Sequence, residues 1–119
     1  MNIEEVGVTG QAVLDALVAE VDSWPGVVSS DHRFAGIEFK VGRREIGHVH
    51  VGEPGRSFAD LPFPRAKRNE LIAEGRARPH HVLPDSGWLT VPIRTASDVE
   101  DVIEIFRENY SRTSAAKKS

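Results

Sequence analysis

Four of the five histidines of this chain fall between Gly47 and Trp88: His48, His50, His80 and His81. His48 and His50 are two apart in a run of alternating polarity. Side chains alternate across a strand, so both imidazoles point to one face. Two imidazoles side by side can ligate a divalent metal, with His80 or His81 as a third ligand. They can equally bind an anionic or polar ligand, or exchange protons near neutral pH. A solvated strand face with Val49 and Val51 turned inward accounts for the same spacing. The pair alone therefore favours no metal, and the third ligand stays open between His80 and His81.

A basic cluster, Arg65, Lys67, Arg68 and Arg76, lies between the two histidine pairs. Arg65 and Arg68 share a helix face with Ile72. Arginine's planar fork reads carboxylate and phosphate bidentately, so Arg65, Arg68 and Arg76 are candidate ligand-binding residues. Their alternative is a charged face balanced by Glu70 and Glu74. His80 and His81 are adjacent, and on an extended chain they face opposite ways, so at most one joins His48 and His50. The loop that follows ends in Asp85-Ser86-Gly87-Trp88. Trp88 faces away from Leu89, Val91 and Ile93, so it is a candidate binding residue or, equally, the closure of a second small core. A cupin needs more strands and a later glutamate than Glu53. Glycine-rich phosphate loops and the G-x-S-x-G elbow are absent. Glu38 and Glu45 could form a carboxylate pair, but Lys40, Arg43 and Arg44 beside them make salt bridges the better expectation.

These residues need elements to hold them. Val13, Leu14, Leu17, Val18, Val21 and Trp24 have helical spacing, with Thr9 as N-cap and Pro25-Gly26 as the stop. A short strand at 27–30 is expected, then a hairpin of strands 33–41 and 45–51 turning at Gly42-Arg43. In the return strand Ile46, His48 and His50 fall on one face, and Glu45, Gly47, Val49 and Val51 on the other. Residues 52–60 read as a loop. A helix starts near Phe63 and stops at Gly75. Residues 79–87 read as a second loop. A strand follows at 88–93, placed at an edge by Pro92. The last helix opens on a capping box of Ser97 and Glu100, with Val99, Val102, Ile103, Phe106 and Tyr110 as its stripe. The fold class is α+β: an antiparallel sheet of about four strands with helices packed on one face, in the order αβββαβα. Residues 1–110 form one domain and 111–119 a flexible tail.

Composition sets the outer bounds. At 119 residues the chain suits one core. Its net charge of −3 offers no global attraction for nucleic acid or anionic membrane. The absence of cysteine excludes disulfides, zinc–thiolate sites and thiol nucleophiles. No apolar run approaches the roughly 20 residues of a membrane span, and the N-terminus has no signal-peptide pattern. A cytoplasmic location is expected.

Residues 42–93 resemble the luciferase-domain family of small bacterial and fungal proteins. The pieces that carry the resemblance are GHVH, LPFPR, EGRARPHH and LPDSGWLTVPIRT. Taken position by position, the resemblance implies a site built on His48, His50, Pro64, Arg65, Gly75, Ala77, His81, Pro84, Ser86, Gly87 and Trp88. It does not name the chemistry. The last third, with its histidine loop, the strand WLTVPI and a helix ending Glu108-Asn109-Tyr110, is similar to YjbR/MmcQ-like proteins. That similarity implies a compact α+β domain and DNA binding, with Asn109 where the pattern has serine.

The functional expectation is a pocket that binds an anionic or aromatic small molecule. His48, His50 and His81 are the acid–base candidates, and Arg65 would stabilise developing negative charge. No cofactor is predicted, apart from the divalent-metal option, for which the resemblance points to His48, His50 and His81. The alternatives are a nucleic-acid-binding module working through the basic helix, which the charge disfavours, and a structural homodimer through a sheet edge.

Overall fold

Thr9 opens the first helix. Its hydroxyl accepts the Ala12 amide at 3.1 Å and caps α1, Gly10–Val21, as the spacing predicts. The structure, a computed structural model, describes residues 7–32, 36–113 and 115–116. The expected strand start at residues 33–35 lies outside the described residues. After α1 come four strands: β1 Val27–His32, β2 Gly36–Val41, β3 Arg44–His50 and β4 Ser57–Pro62. Helix α2, Arg65–Ala73, leads to β5, Arg78–Pro79, then β6, Trp88–Ile93, and α3, Ala96–Tyr110. All pairings are antiparallel, in the order β1-β2-β3-β4-β6-β5.

The α+β class and antiparallel sheet are as expected, but the sheet has six strands, not about four, and the order is αββββαββα. The two extra strands overlap the ends of the stretches read as loops, 52–60 and 79–87. β4 is Ser-Phe-Ala-Asp-Leu-Pro, whose serine, aspartate and proline mask its alternation. It is a strand because it sits mid-sheet, paired on both sides with β3 and β6. β5 is two residues long and pairs only with Thr90 and Leu89. Pro92 of β6 therefore lies where no outer neighbour needs its missing N–H. The last helix begins two residues before the expected box. Thr95 and Asp98 form it reciprocally, the Thr95 hydroxyl accepting from the Asp98 amide and the Asp98 carboxylate from the Thr95 amide.

The helices cover one face of the sheet. Phe39, Val49, Leu61, Leu89 and Ile93 point from the strands into a core closed by Leu17 of α1, Leu71 of α2, and Ile105 and Phe106 of α3. Phe39 and Phe106 meet edge to face at 5.4 Å, and Trp24 packs on Tyr110 at 5.2 Å. Beyond Tyr110, Thr113 is buried and Ala115 and Ala116 pack against the core. None of the helices among the described residues is long and apolar enough to cross a membrane.

One irregularity decides how the other face is built. Phe39 pairs with Gly47 and Lys40 with Glu45, so Ile46 is an extra residue in β3. This bulge turns both Ile46 and Gly47 into the core. Glu45 moves to the face of His48, reversing the expected assignment of Glu45 and Ile46 to their faces. Asn109 holds the bulge: its side-chain amide donates to the Ile46 carbonyl at 2.8 Å, deep in the core. Asn109→Ala leaves that carbonyl without its donor and is expected to cost about 1–3 kcal/mol. Urea unfolding measures it, and unchanged stability would remove Asn109 from this role.

Candidate functional site

Cross-strand pairing lines up the polar face. Glu38 pairs with His48, His48 with Asp60, Asp60 with Thr90, and Thr90 with Arg78. Directly opposed residues share a side of the sheet, so this row runs across five strands on the face the helices leave open. His50 and Phe58 form the next pair along. His80 extends β5 opposite Trp88, because Pro79 opposes Leu89.

Asp60 is the centre of the row. It is 1% exposed. Its Oδ1 accepts the Thr90 hydroxyl at 2.6 Å. Its Oδ2 faces three imidazoles, with Nε2 of His48 at 3.2 Å, of His80 at 3.5 Å and of His50 at 3.7 Å. The other nitrogen of His48, Nδ1, lies 2.6 Å from Glu45, a contact the bulge makes possible. Nδ1 of His80 accepts the backbone amides of Val82 and Leu83 at 3.1 and 3.0 Å. That nitrogen must present a lone pair, so the His80 proton sits on Nε2, directed at Asp60. Aromatic rings enclose the cluster: His48 meets Trp88 at 5.5 Å, His50 stacks on Phe58 at 4.8 Å, and His80 stacks on His81 at 4.5 Å. Two sets could hold a metal ion, His48–His50–Asp60 and Asp60–His80–His81, each with its ligand atoms within 4.8 Å of one another.

Burial by itself lowers the His48 pKa. The hydrogen bonds and charges of Asp60 and Glu45 outweigh it and raise the value from 6.5 to about 9. At neutral pH the ring is an imidazolium donating to both carboxylates. Burial likewise opposes ionisation of Asp60, and the hydrogen bonds from His48 and Thr90 overcome it, holding the carboxyl below its ordinary value. A raised histidine pKa stabilises the fold fully below the unfolded value of 6.5, and the contribution disappears as pH rises through about 9. Unfolding free energy of the metal-free protein is therefore expected to fall between pH 6.5 and 9. Urea titrations across that window measure it, and Glu45→Gln should flatten the slope. A flat profile in the parent protein would contradict the charged His48.

The other expected site residues are placed as follows. His81 is exposed at the edge of the cluster, and His80 is the nearer of the two to Asp60. Trp88 lies against His48. Ser86 is used by its own loop, its hydroxyl donating to the Leu83 carbonyl at 2.7 Å and accepting from the Trp88 amide at 3.1 Å. Arg65 and Arg68 donate to the carbonyls of Asp85 and Pro84, tying α2 to that loop. Arg76 and Lys67 grip Glu108 of α3 at 2.9 and 3.0 Å.

Sequence reasoning missed Asp60, Thr90, the role of Glu45 and a second set of arginines. A pocket of about 390 Å³ adjoins the cluster at Thr90, and Arg56, Phe58, Arg78, His81, Pro92 and Arg94 line it. No ion pair engages Arg56, Arg78 or Arg94 among the described residues. The alternation Phe58, Asp60 against Ala59, Leu61 was the one available signal for Asp60. The arginines are scattered singly and gave none.

A family model described as Luciferase domain matches residues 43–109. The match runs from the turn before β3 into α3 and contains every residue of the Asp60 cluster. It bears out the first resemblance drawn from the sequence and does not show the second, to YjbR/MmcQ-like proteins. No curated protein matches the chain.

Proposed function

The chain belongs to the luciferase-domain family, and we propose that it binds a small anionic aromatic molecule on the open face of its sheet. The observation that carries this reading is the pocket beside Thr90. It brings three arginines, with no carboxylate partner among the described residues, around Phe58 and Pro92, in a chain whose net charge is negative. Its volume of about 390 Å³ suits a small organic ligand. An aromatic ring would lie against Phe58, and an anionic group would take the guanidinium forks. His81 lines the same pocket and would exchange a proton with the ligand. His48, held between Glu45 and Asp60, is committed to their carboxylates and would not serve as the mobile proton.

Calorimetric titration with a panel of hydroxybenzoates, and with the matching benzyl alcohols as neutral controls, tests the reading. The carboxylates are expected to bind and the alcohols to bind at least tenfold more weakly. Arg78→Ala with Arg94→Ala should abolish that preference. Equal affinity for acids and alcohols, or a preference that survives the double variant, would contradict it.

A further inference from the structure

We infer that His48, His50 and Asp60 form a three-ligand site for a divalent first-row transition metal ion, separate in its test from the aromatic-acid pocket. Donors bound to one such ion at about 2.0–2.2 Å stand roughly 3.0–3.5 Å apart, depending on the angle between them. Asp60 Oδ2 is 3.2 Å from His48 Nε2 and 3.7 Å from His50 Nε2. Small side-chain adjustments therefore suffice to place one ion among the three. Two nitrogens and one carboxylate oxygen suit iron(II) or zinc, and they leave coordination positions open.

The surroundings match what a metal site requires beyond its ligands. A metal-bound histidine ordinarily gives its other nitrogen to a carboxylate. His48 Nδ1 already lies 2.6 Å from Glu45, which the β-bulge swings onto this face. The second oxygen of Asp60 is held by the Thr90 hydroxyl. His48, Asp60 and His50 stand on β3 and β4, the middle strands of the sheet, so their spacing is fixed by the pairing of His48 with Asp60.

His80 is excluded as a fourth ligand by its own hydrogen bonds. Its Nδ1 faces the amides of Val82 and Leu83, which keeps the proton on Nε2. To offer Nε2 to an ion His80 would have to become an imidazolate, whereas His48 can release its Nε2 proton on binding and keep its Nδ1 proton directed at Glu45. The same argument removes the competing set of Asp60, His80 and His81, and leaves three protein ligands.

Untagged protein stripped by chelator and titrated with Co(II) tests this, with Zn(II) competition as a second readout. One ion per chain is expected, with visible ligand-field bands that Zn(II) abolishes. His50→Ala should weaken Co(II) binding at least tenfold. Glu45→Gln, outside the ligand set, should weaken it about tenfold; it keeps the test decisive if the alanine variant fails to fold by circular dichroism. No Co(II) binding up to about 1 mM, or affinity unchanged in Glu45→Gln and in folded His50→Ala, overturns the assignment. Binding that survives in His50→Ala but is lost in His81→Ala places the ion in the other set and overturns it equally.

Discussion

Asp60→Asn is expected to destabilise the protein by about 3 kcal/mol, on the order of 10 °C in Tm, while leaving its shape almost unchanged. The amide oxygen can still accept the Thr90 hydroxyl. The amide nitrogen, however, would face the protonated Nε2 atoms of His48 and His80, donor against donor. Glu45 would remain a carboxylate partner of the charged His48. Two readouts separate this from a generic loss of packing. The His48 pKa, followed by ring NMR, should fall from about 9 towards 6.5. The decline in stability above pH 6.5 should shrink with it. A variant as stable as the parent, or a His48 that still titrates near 9, would show that Asp60 does not organise the cluster.

Gly47→Ala is expected to cost as much or more, roughly 3–5 kcal/mol, by overpacking and backbone strain together. A Cβ at this position would lie 2.5 Å from Cε1 of Phe106 and 2.9 Å from Cγ of Leu61. Both neighbours are fully buried and have no flexible end to yield. The backbone φ of 155° is also one that favours glycine. Because Gly47 follows the extra residue of β3, the strain would reach the bulge that brings Glu45 to His48. Chemical denaturation gives the magnitude. Phe106→Leu, combined with Gly47→Ala, removes part of the obstructing ring, so the double variant should be more stable than the sum of the two single losses. Strict additivity would mean that the clash is relieved elsewhere.

The elements legible in the sequence were those whose pattern and stop signals agree. α1 has its Thr9 cap, although it ends at Val21, short of the expected stop at Pro25-Gly26, and the β2–β3 hairpin has Gly42-Arg43. His48 and His50 share a face because strand alternation requires it, and Trp88 opposes Leu89 for the same reason. What failed to show was set by pairing across the sheet. β4 has little strand character of its own, and its neighbours impose the conformation. Asp60 therefore falls in a stretch that reads as a loop, although it is the group on which the histidines converge. The bulge at Ile46 is a register fact and no local residue type announces it, so strand alternation alone puts Glu45 on the wrong face. Arg65 and Arg68 are conspicuous as a cluster, yet both are spent on loop carbonyls. Arg56, Arg78 and Arg94 come from three separate segments and meet only in the folded chain.

The most direct test of a ligand face centred beside Asp60 is amide chemical-shift mapping during titration with a hydroxybenzoate. The perturbed amides should be those of Phe58, Arg78, His81, Thr90 and Arg94, with Arg65 and Arg68 on α2 unmoved. Shifts centred on α2, or none at saturating ligand, would contradict the account.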